Sequence, residues 1–370
     1  MKIKRNILLN PGPATTTDSV KAAQVVPDIC PREKEFGQMM KDIRNNLVEI
    51  SGGGKGYTCV LFAGSGTAAI DAIINSVVPP EGKILIINNG AYGQRIVQIA
   101  RAYNINYAEL KFKWESLPDL NLLKNTLIKD KEISCVAFIH HETTTGILNP
   151  LKKINQIAKS FGCVTIVDTI SSFAGVSINI IDDQIDFMML TSNKCIQGMA
   201  GICFVICKTN ELEKIKNYPK RSFYLDLYSQ YDYFEKKGEM QFTPPVQVVY
   251  ALKKAIDELF EEGLENRYKR YLKSNQTLIK GMEELGFKKL LKDEEESHIL
   301  TTFCEPDDPN YDFEKMHDLL YKRGFTIYPG KIGKRETFRL ANMGAINYND
   351  IGNFLKVLKE VIKEIKLKLK

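Results

Sequence analysis

The chain reads as an α/β protein, with a large domain on a mainly parallel sheet flanked by helices and a smaller α+β domain after it. Three observations carry this reading. Six apolar runs, at 57–62, 83–87, 136–140, 163–167, 187–190 and 202–206, are short and lack a polar residue at every second position, as strands buried on both faces do. Between several of them lie stretches of helical period, such as Ile70, Ile73, Ile74 and Val77. Further along, strand-like pieces at 299–303, 324–328 and 337–341 alternate with helical ones at 312–323 and 349–368, the texture of a separate, smaller layer.

In chain order, residues 1–18 read as an N-terminal arm. Two prolines around a glycine in Asn10-Pro-Gly-Pro13 fit neither a helix interior nor a central strand, so the arm is expected to be extended. Residues 19–270 form the large domain and 271–370 the small one. Helices are expected at 246–261 and 264–285, the second long enough to bridge the two. The final helix carries Ile351, Phe354, Leu355, Leu358, Val361, Ile362 and Ile365 on one stripe and lysines elsewhere, a packed terminal helix with a solvated basic face.

Composition narrows the function classes. Fifty-one basic against 45 acidic residues give a net charge of +6, too mild and too spread to be a nucleic-acid footprint. The eight cysteines show no C-x-x-C pair and no metal-ligand spacing, and are expected to be free thiols in a reducing cytoplasm. Met-Lys-Ile-Lys-Arg at the start is not followed by the apolar core of a signal peptide, and no apolar run reaches the roughly 18 to 20 residues of a membrane span.

The chemistry gathers where strands end. Lys194 follows the apolar run 187–190 and precedes a small-residue turn; desolvation of such a lysine lowers its pKa, which suits an amine that must attack an aldehyde. Cys163-Val-Thr-Ile-Val-Asp168 ends an apolar strand in an acid. A strand-end carboxylate followed by a strand-end lysine is the pairing a pyridoxal phosphate enzyme requires, one group for the pyridine nitrogen and one for the aldehyde. Ala63-Gly-Ser-Gly-Thr-Ala-Ala69 joins a strand to a helix, and amides of Ser65, Gly66 and Thr67 at the helix start suit a phosphate. The run matches neither the dinucleotide fingerprint nor the P-loop, and a glycine-rich turn also occurs for packing.

Other candidates follow other strands. Tyr92, in Asn89-Gly-Ala-Tyr-Gly93, can lie against an aromatic ring or simply cap a turn. His140-His-Glu-Thr-Thr-Thr-Gly146 brings hydroxyl groups to the same edge; adjacent histidines on a strand point to opposite faces, so a shared metal is not expected. Arg339, in Thr337-Phe-Arg-Leu-Ala-Asn342, has the fork that grips a carboxylate or phosphonate, or else a structural ion pair. Thr243, in Gln241-Phe-Thr-Pro-Pro245, precedes a helix that its hydroxyl could cap, unless it reaches a phosphate.

Taken in order, Asn10-Pro-Gly-Pro13, Ala63-Gly-Ser-Gly-Thr67, His141-Glu-Thr-Thr-Thr-Gly146, Val167-Asp-Thr-Ile-Ser-Ser172, Ser192-Asn-Lys-Cys-Ile-Gln-Gly198 and Phe338-Arg339 resemble the class V, fold-type I aminotransferases across nearly the whole chain. The resemblance implies a seven-stranded large-domain sheet and a homodimer with active sites at the subunit interface. It implies pyridoxal 5'-phosphate bound through Lys194, Asp168 on the pyridine nitrogen and Tyr92 stacked on the ring. Ser65, Gly66 and Thr67 would hold the phosphate, joined by Thr243 of the other subunit; Thr143 would meet the cofactor oxygen and Arg339 the substrate anion. Asp28-Ile-Cys-Pro-Arg-Glu-Lys-Glu-Phe36 and the Lys194 run resemble the branch that transfers the amino group of 2-aminoethylphosphonate to pyruvate, with Arg32 a second candidate for the phosphonate. Within the fold the rivals are an alanine:glyoxylate or serine:pyruvate transaminase, and a lyase such as a cysteine desulfurase, for which 328–345 offers no cysteine. Departures from the family pattern are Ala174, where glycine is common, and His141, where a smaller residue is usual.

Overall fold

The computed structural model describes residues 6–332 and 335–369. Seven strands form the main sheet in the spatial order Tyr57–Gly64, Gly201–Lys208, Phe187–Thr191, Val164–Asp168, Ile133–Ile139, Lys83–Asn88 and Tyr107–Lys111. Gly201–Lys208 runs antiparallel to both neighbours, and the remaining pairs are parallel. The interior strands are apolar on both faces: Ile84 to Ile87, Val136 to Phe138 and Phe187 to Leu190 are shut off from solvent. The Tyr107–Lys111 strand is the one that the apolar pattern does not mark. It lies at the edge, and among its residues only Leu110 is buried.

Register decides what shares the functional edge. Ile139 pairs with Asp168 and Asp168 with Met189, so three adjacent parallel strands end together. Gly201 pairs with Gly64, so the antiparallel strand begins where its neighbour ends. The loop from Thr191 to Gly201, which carries Lys194, is therefore confined to the rim where ligands bind in parallel sheets.

A second core lies around Phe303, Phe338 and Phe354, over an antiparallel sheet of Leu300–Cys304, Arg335–Ala341 and Tyr328–Ile332. The terminal helix, Tyr348–Glu364, begins with a capping box between Asn347 and Asp350 and buries Ile351, Phe354, Leu358 and Val361. Each such side chain contributes about 1.5–3 kcal/mol on burial, which fixes this helix on the long one, Leu264–Glu284. Of the expected arm, residues 1–5 lie outside the described residues; from residue 6 to Thr17 it is non-helical, and Ile7–Leu8 pairs in parallel with Phe325–Thr326.

The long helix also ties the lysine loop to the second core. Arg267, 1% exposed, donates to Glu262 at 2.7 Å and to the Cys195 carbonyl at 2.8 Å. Arg270 donates to the same carboxylate and to the carbonyls of Gly344 and Ile346. The Tyr271 hydroxyl accepts from Gln197 Nε2 at 2.7 Å and from the Gly344 amide at 3.0 Å. A lone buried charge is prohibitive; here the Nε and Nη1 of both arginines donate to a carboxylate or carbonyl oxygen.

Candidate active site

A cleft of about 520 Å³ opens at the strand ends, lined by Ser65, Gly66, Thr67, Tyr92, Thr143, Asp168 and Lys194 among others. The Gly66–Val77 helix starts at Ser65, whose side chain makes no capping bond, leaving its hydroxyl and the first amides for a ligand. Gly66 packs closely on the neighbouring loop: a Cβ there would lie 2.9 Å from the end of the Ile170 side chain, which would have to shift. Thr67 Oγ1 accepts from Arg95 at 3.1 Å, which leaves its own hydrogen to donate elsewhere.

Tyr92 sits in the first turn of the Ala91–Ala102 helix, with the Arg95 guanidinium stacked 4.7 Å from its ring centre. Thr143 lines the cleft, whereas Thr144 and Thr145 turn inward: the Thr144 hydroxyl donates to Glu142 at 2.5 Å. The two histidines have separate partners, as the alternation argument requires. His140 Nδ1 meets Ser172 Oγ at 3.0 Å and His141 Nε2 meets Ser297 Oγ at 2.7 Å. Burial lowers the pKa of both, His140 to about 4, so both rings are neutral.

Asp168 ends its strand with one carboxylate oxygen accepting the Ile170 amide at 2.9 Å. Burial pushes this acid up to about 7, against the pull of that bond and with nearby Glu142 adding to it. Burial pulls Lys194 down to about 8, reinforced by Arg339 and Arg95 and opposed by Asp168. The lysine amine donates to the Pro11 carbonyl of the arm. At the next residue, Gly12, a Cβ would fall 2.6 Å from Lys194 Cδ and Cε. Cys195 turns away from the cleft, bonds the Ser171 carbonyl at 3.3 Å, and is pushed by burial to about 12.

Arg339 stands behind Thr143 instead of lining the cleft. It donates to the Thr143 and Pro329 carbonyls, each at 2.9 Å, and stacks on Tyr328. Within this chain the fold does not bring Arg32 or Thr243 to the cleft. Arg32 pairs with Glu239 and donates to the Met240 carbonyl. Thr243 is exposed and does not cap the Val246–Glu262 helix, whose first position follows Pro245 with no side-chain cap. A proline cannot donate there, so the start needs one partner fewer.

Sequence reasoning missed Arg95, Glu142 and the Pro11 carbonyl. Arg95 had a usable signal, its spacing of three from Tyr92 on one helix. Glu142 had a subtler one in Gly90, discussed below.

The residues fit pyridoxal phosphate as a set: a helix start with an unspent hydroxyl, an acid held near neutrality, a poorly solvated amine and an aromatic ring all face one cavity. Comparison with known proteins agrees. The sequence profile of the family described as aminotransferase class-V matches residues 19–338. The chain is 43% identical over 97% of its length to the 2-aminoethylphosphonate–pyruvate transaminase of Bacillus cytotoxicus, covering 99% of that protein. It is 40% identical to the bifunctional phosphonoacetaldehyde hydrolase/aminoethylphosphonate transaminase of Clostridioides difficile, over 96% of this chain and 56% of that one. Among solved structures, an alanine–glyoxylate aminotransferase from Nostoc superposes with a TM-score of 0.90 at 25% identity, over 98% of this chain and 96% of that one. The fold, the family profile and the full-length relatives converge: this chain belongs to the class-V aminotransferases.

Proposed function

We propose that this aminotransferase moves the amino group of 2-aminoethylphosphonate to pyruvate, giving phosphonoacetaldehyde and L-alanine, with pyridoxal 5'-phosphate as cofactor. The observation that carries the reading is the 43% and 42% identity, over 97% and 96% of the chain, to transaminases named for that reaction. When bound, pyridoxal phosphate supplies an aldehyde that takes up the amino group and a ring that withdraws electrons from the reacting carbon.

Ser65, Gly66 and Thr67 would hold the phosphate, Tyr92 would pack on the ring and Thr143 would meet the ring oxygen, all of them lining the cleft. Asp168 would keep a proton on the ring nitrogen. Lys194 would hold the aldehyde and, as a neutral amine, would serve as the proton carrier; a pKa near 8 leaves an appreciable neutral fraction at neutral pH. Arg339, whose buried Nε has no hydrogen-bond partner, would turn from the Thr143 and Pro329 carbonyls to grip the substrate anion. Thr243 would join the phosphate at the cleft of a second subunit in a homodimer, and Arg32, the second candidate for the phosphonate, donates to the Gln241 carbonyl two residues before it. Two hydrophobic clusters support a division into large and small domains near residue 270. Among the described residues no helix is long and apolar enough to cross a membrane, and the thiols are free, which supports a cytoplasmic enzyme.

The test is the absorption spectrum of purified protein as 2-aminoethylphosphonate, L-serine and L-alanine are added separately without keto acid. Bleaching of the yellow band by the phosphonate at far lower concentration than by either amino acid is expected. Preference for serine or alanine would move the enzyme to the carboxylate transaminases, and a protein that takes up no cofactor would remove the cofactor reading.

A further inference from the structure

The helix that presents Tyr92 has no cap of its own. Its N-cap is Gly90, with no side chain and an extended φ of 177°. Its first three amides are satisfied from another segment about 50 residues away. Ala91 donates to Thr144 Oγ1 at 3.2 Å, and Tyr92 and Gly93 donate to Glu142 Oε2 at 3.1 and 3.3 Å. The other oxygen, Oε1, accepts the Thr144 amide at 3.1 Å and the Thr144 hydroxyl at 2.5 Å.

Glu142 is completely buried. All four of its bonds are accepted from donors, three of them backbone N–H groups that can only donate; burial pushes the acid up from its ordinary value, and these bonds pull it back toward the ionised form. The absence of a side chain at position 90 has the same cause. A Cβ on Gly90 would lie 2.5 Å from Glu142 Oε2 and closer still to Cγ and Cδ, so the carboxylate stands where a capping side chain would.

The consequence reaches the cleft from two sides. Tyr92 and Thr143 both line it, and Thr143 also supplies the carbonyl that Arg339 holds. We infer that Glu142 is a positioning residue for the transamination: its carboxylate locks the Tyr92 helix to the Thr143 turn and so sets the ring-facing tyrosine, the threonine and the anion-binding arginine relative to one another. The inference rests on the cofactor reading for what Tyr92 and Thr143 face.

Two variants test it. Glu142→Gln keeps the size but leaves one oxygen for two pairs of donors, so one pair meets an amide NH2. Gly90→Ala is allowed at that φ and keeps the charge, but pushes a methyl into the carboxylate. Cofactor-free protein of each variant is titrated with pyridoxal 5'-phosphate by absorbance, and the bound form is titrated with pH. Both variants are expected to bind the cofactor at least tenfold more weakly than wild type. The pH midpoint of the bound chromophore moves down in Glu142→Gln, where a neighbouring negative charge is lost, and stays in Gly90→Ala. Cofactor affinity within twofold of wild type in Gly90→Ala overturns the inference, whether or not Glu142→Gln folds. So does an unmoved midpoint in a folded Glu142→Gln, which leaves a helix cap and nothing more. Failure of the wild-type protein to bind the cofactor sinks the underlying reading instead.

Discussion

Gly12→Ala separates stability from function at one atom. The added Cβ falls 2.6 Å from Cδ and Cε of Lys194, whereas ordinary contact begins at 3.4 Å, and it comes closer still to Nζ. What it meets is the free end of a flexible side chain, so the clash itself is relieved at little expense by swinging the amine about 1 Å aside. That end is nevertheless the reacting atom, and a misplacement of about 1 Å lowers turnover on the order of 100-fold. The backbone adds a separate penalty: φ is +131°, where a residue with a side chain loses about 1–3 kcal/mol. The expected variant is folded, loaded with cofactor, modestly less stable in urea and about 100-fold slower in alanine formation from 2-aminoethylphosphonate and pyruvate. A fully loaded variant whose kcat stays within threefold of wild type would show that the arm does not press on the lysine, and the reasoning would be refuted.

Two further variants probe the buried charges. Asp168 is raised from an ordinary 3.8 to about 7. The folded state therefore holds this proton more tightly than the unfolded chain, and cofactor-free protein loses stability as pH rises from about 4 through 7. Asp168→Asn removes that loss, so the cofactor-free variant should exceed wild type at pH 8 by up to about 4 kcal/mol, the gap closing toward pH 4; urea unfolding at the two pH values decides, and a gap independent of pH contradicts the assignment. Arg267→Ala strips the Cys195 carbonyl of its buried donor and leaves Glu262 to Arg270 alone; a loss of about 3 kcal/mol is expected in urea unfolding, and a loss under 1 kcal/mol would mean the helix is held by packing.

What could be read from residues alone divides by distance along the chain. Lys194, Asp168, Tyr92, Thr143 and the Ser65–Thr67 turn were legible because each directly follows a strand, and the carboxyl edge of a parallel sheet is one place in space. The strand Tyr107–Lys111 left no mark because an edge strand need not be apolar on both faces. The Ile7–Leu8 pairing escaped for a different reason: two residues are too few to carry a period. Glu142 was hidden because the two amides it caps are separated from it by about 50 residues, and an isolated glutamate in a threonine-rich turn looks solvated until that helix is placed beside it. Thr243 was read as a possible cap from its position before a helix, yet Pro245 intervenes and the helix begins without one.

The electrostatics of the cleft follow from one cause acting on two groups. An aspartate and a lysine in water titrate more than six units apart, at 3.8 and 10.5; burial drives them to about 7 and about 8. Each is destabilised in its charged form, and their mutual attraction, together with the Ile170 amide on the acid, is too weak to restore the separation. Near neutral pH neither group is firmly committed to its ordinary charge, so the protein meets a cofactor with an acid that gains from a cationic ring nitrogen and an amine already partly free of its proton. Further hydrogen bonds to Asp168 would pull the acid back toward its ionised form without the cofactor and lessen that gain. Burial raises both acids, but at Asp168 it is opposed by a single bond, from Ile170, and at Glu142 by four that also tie two segments together.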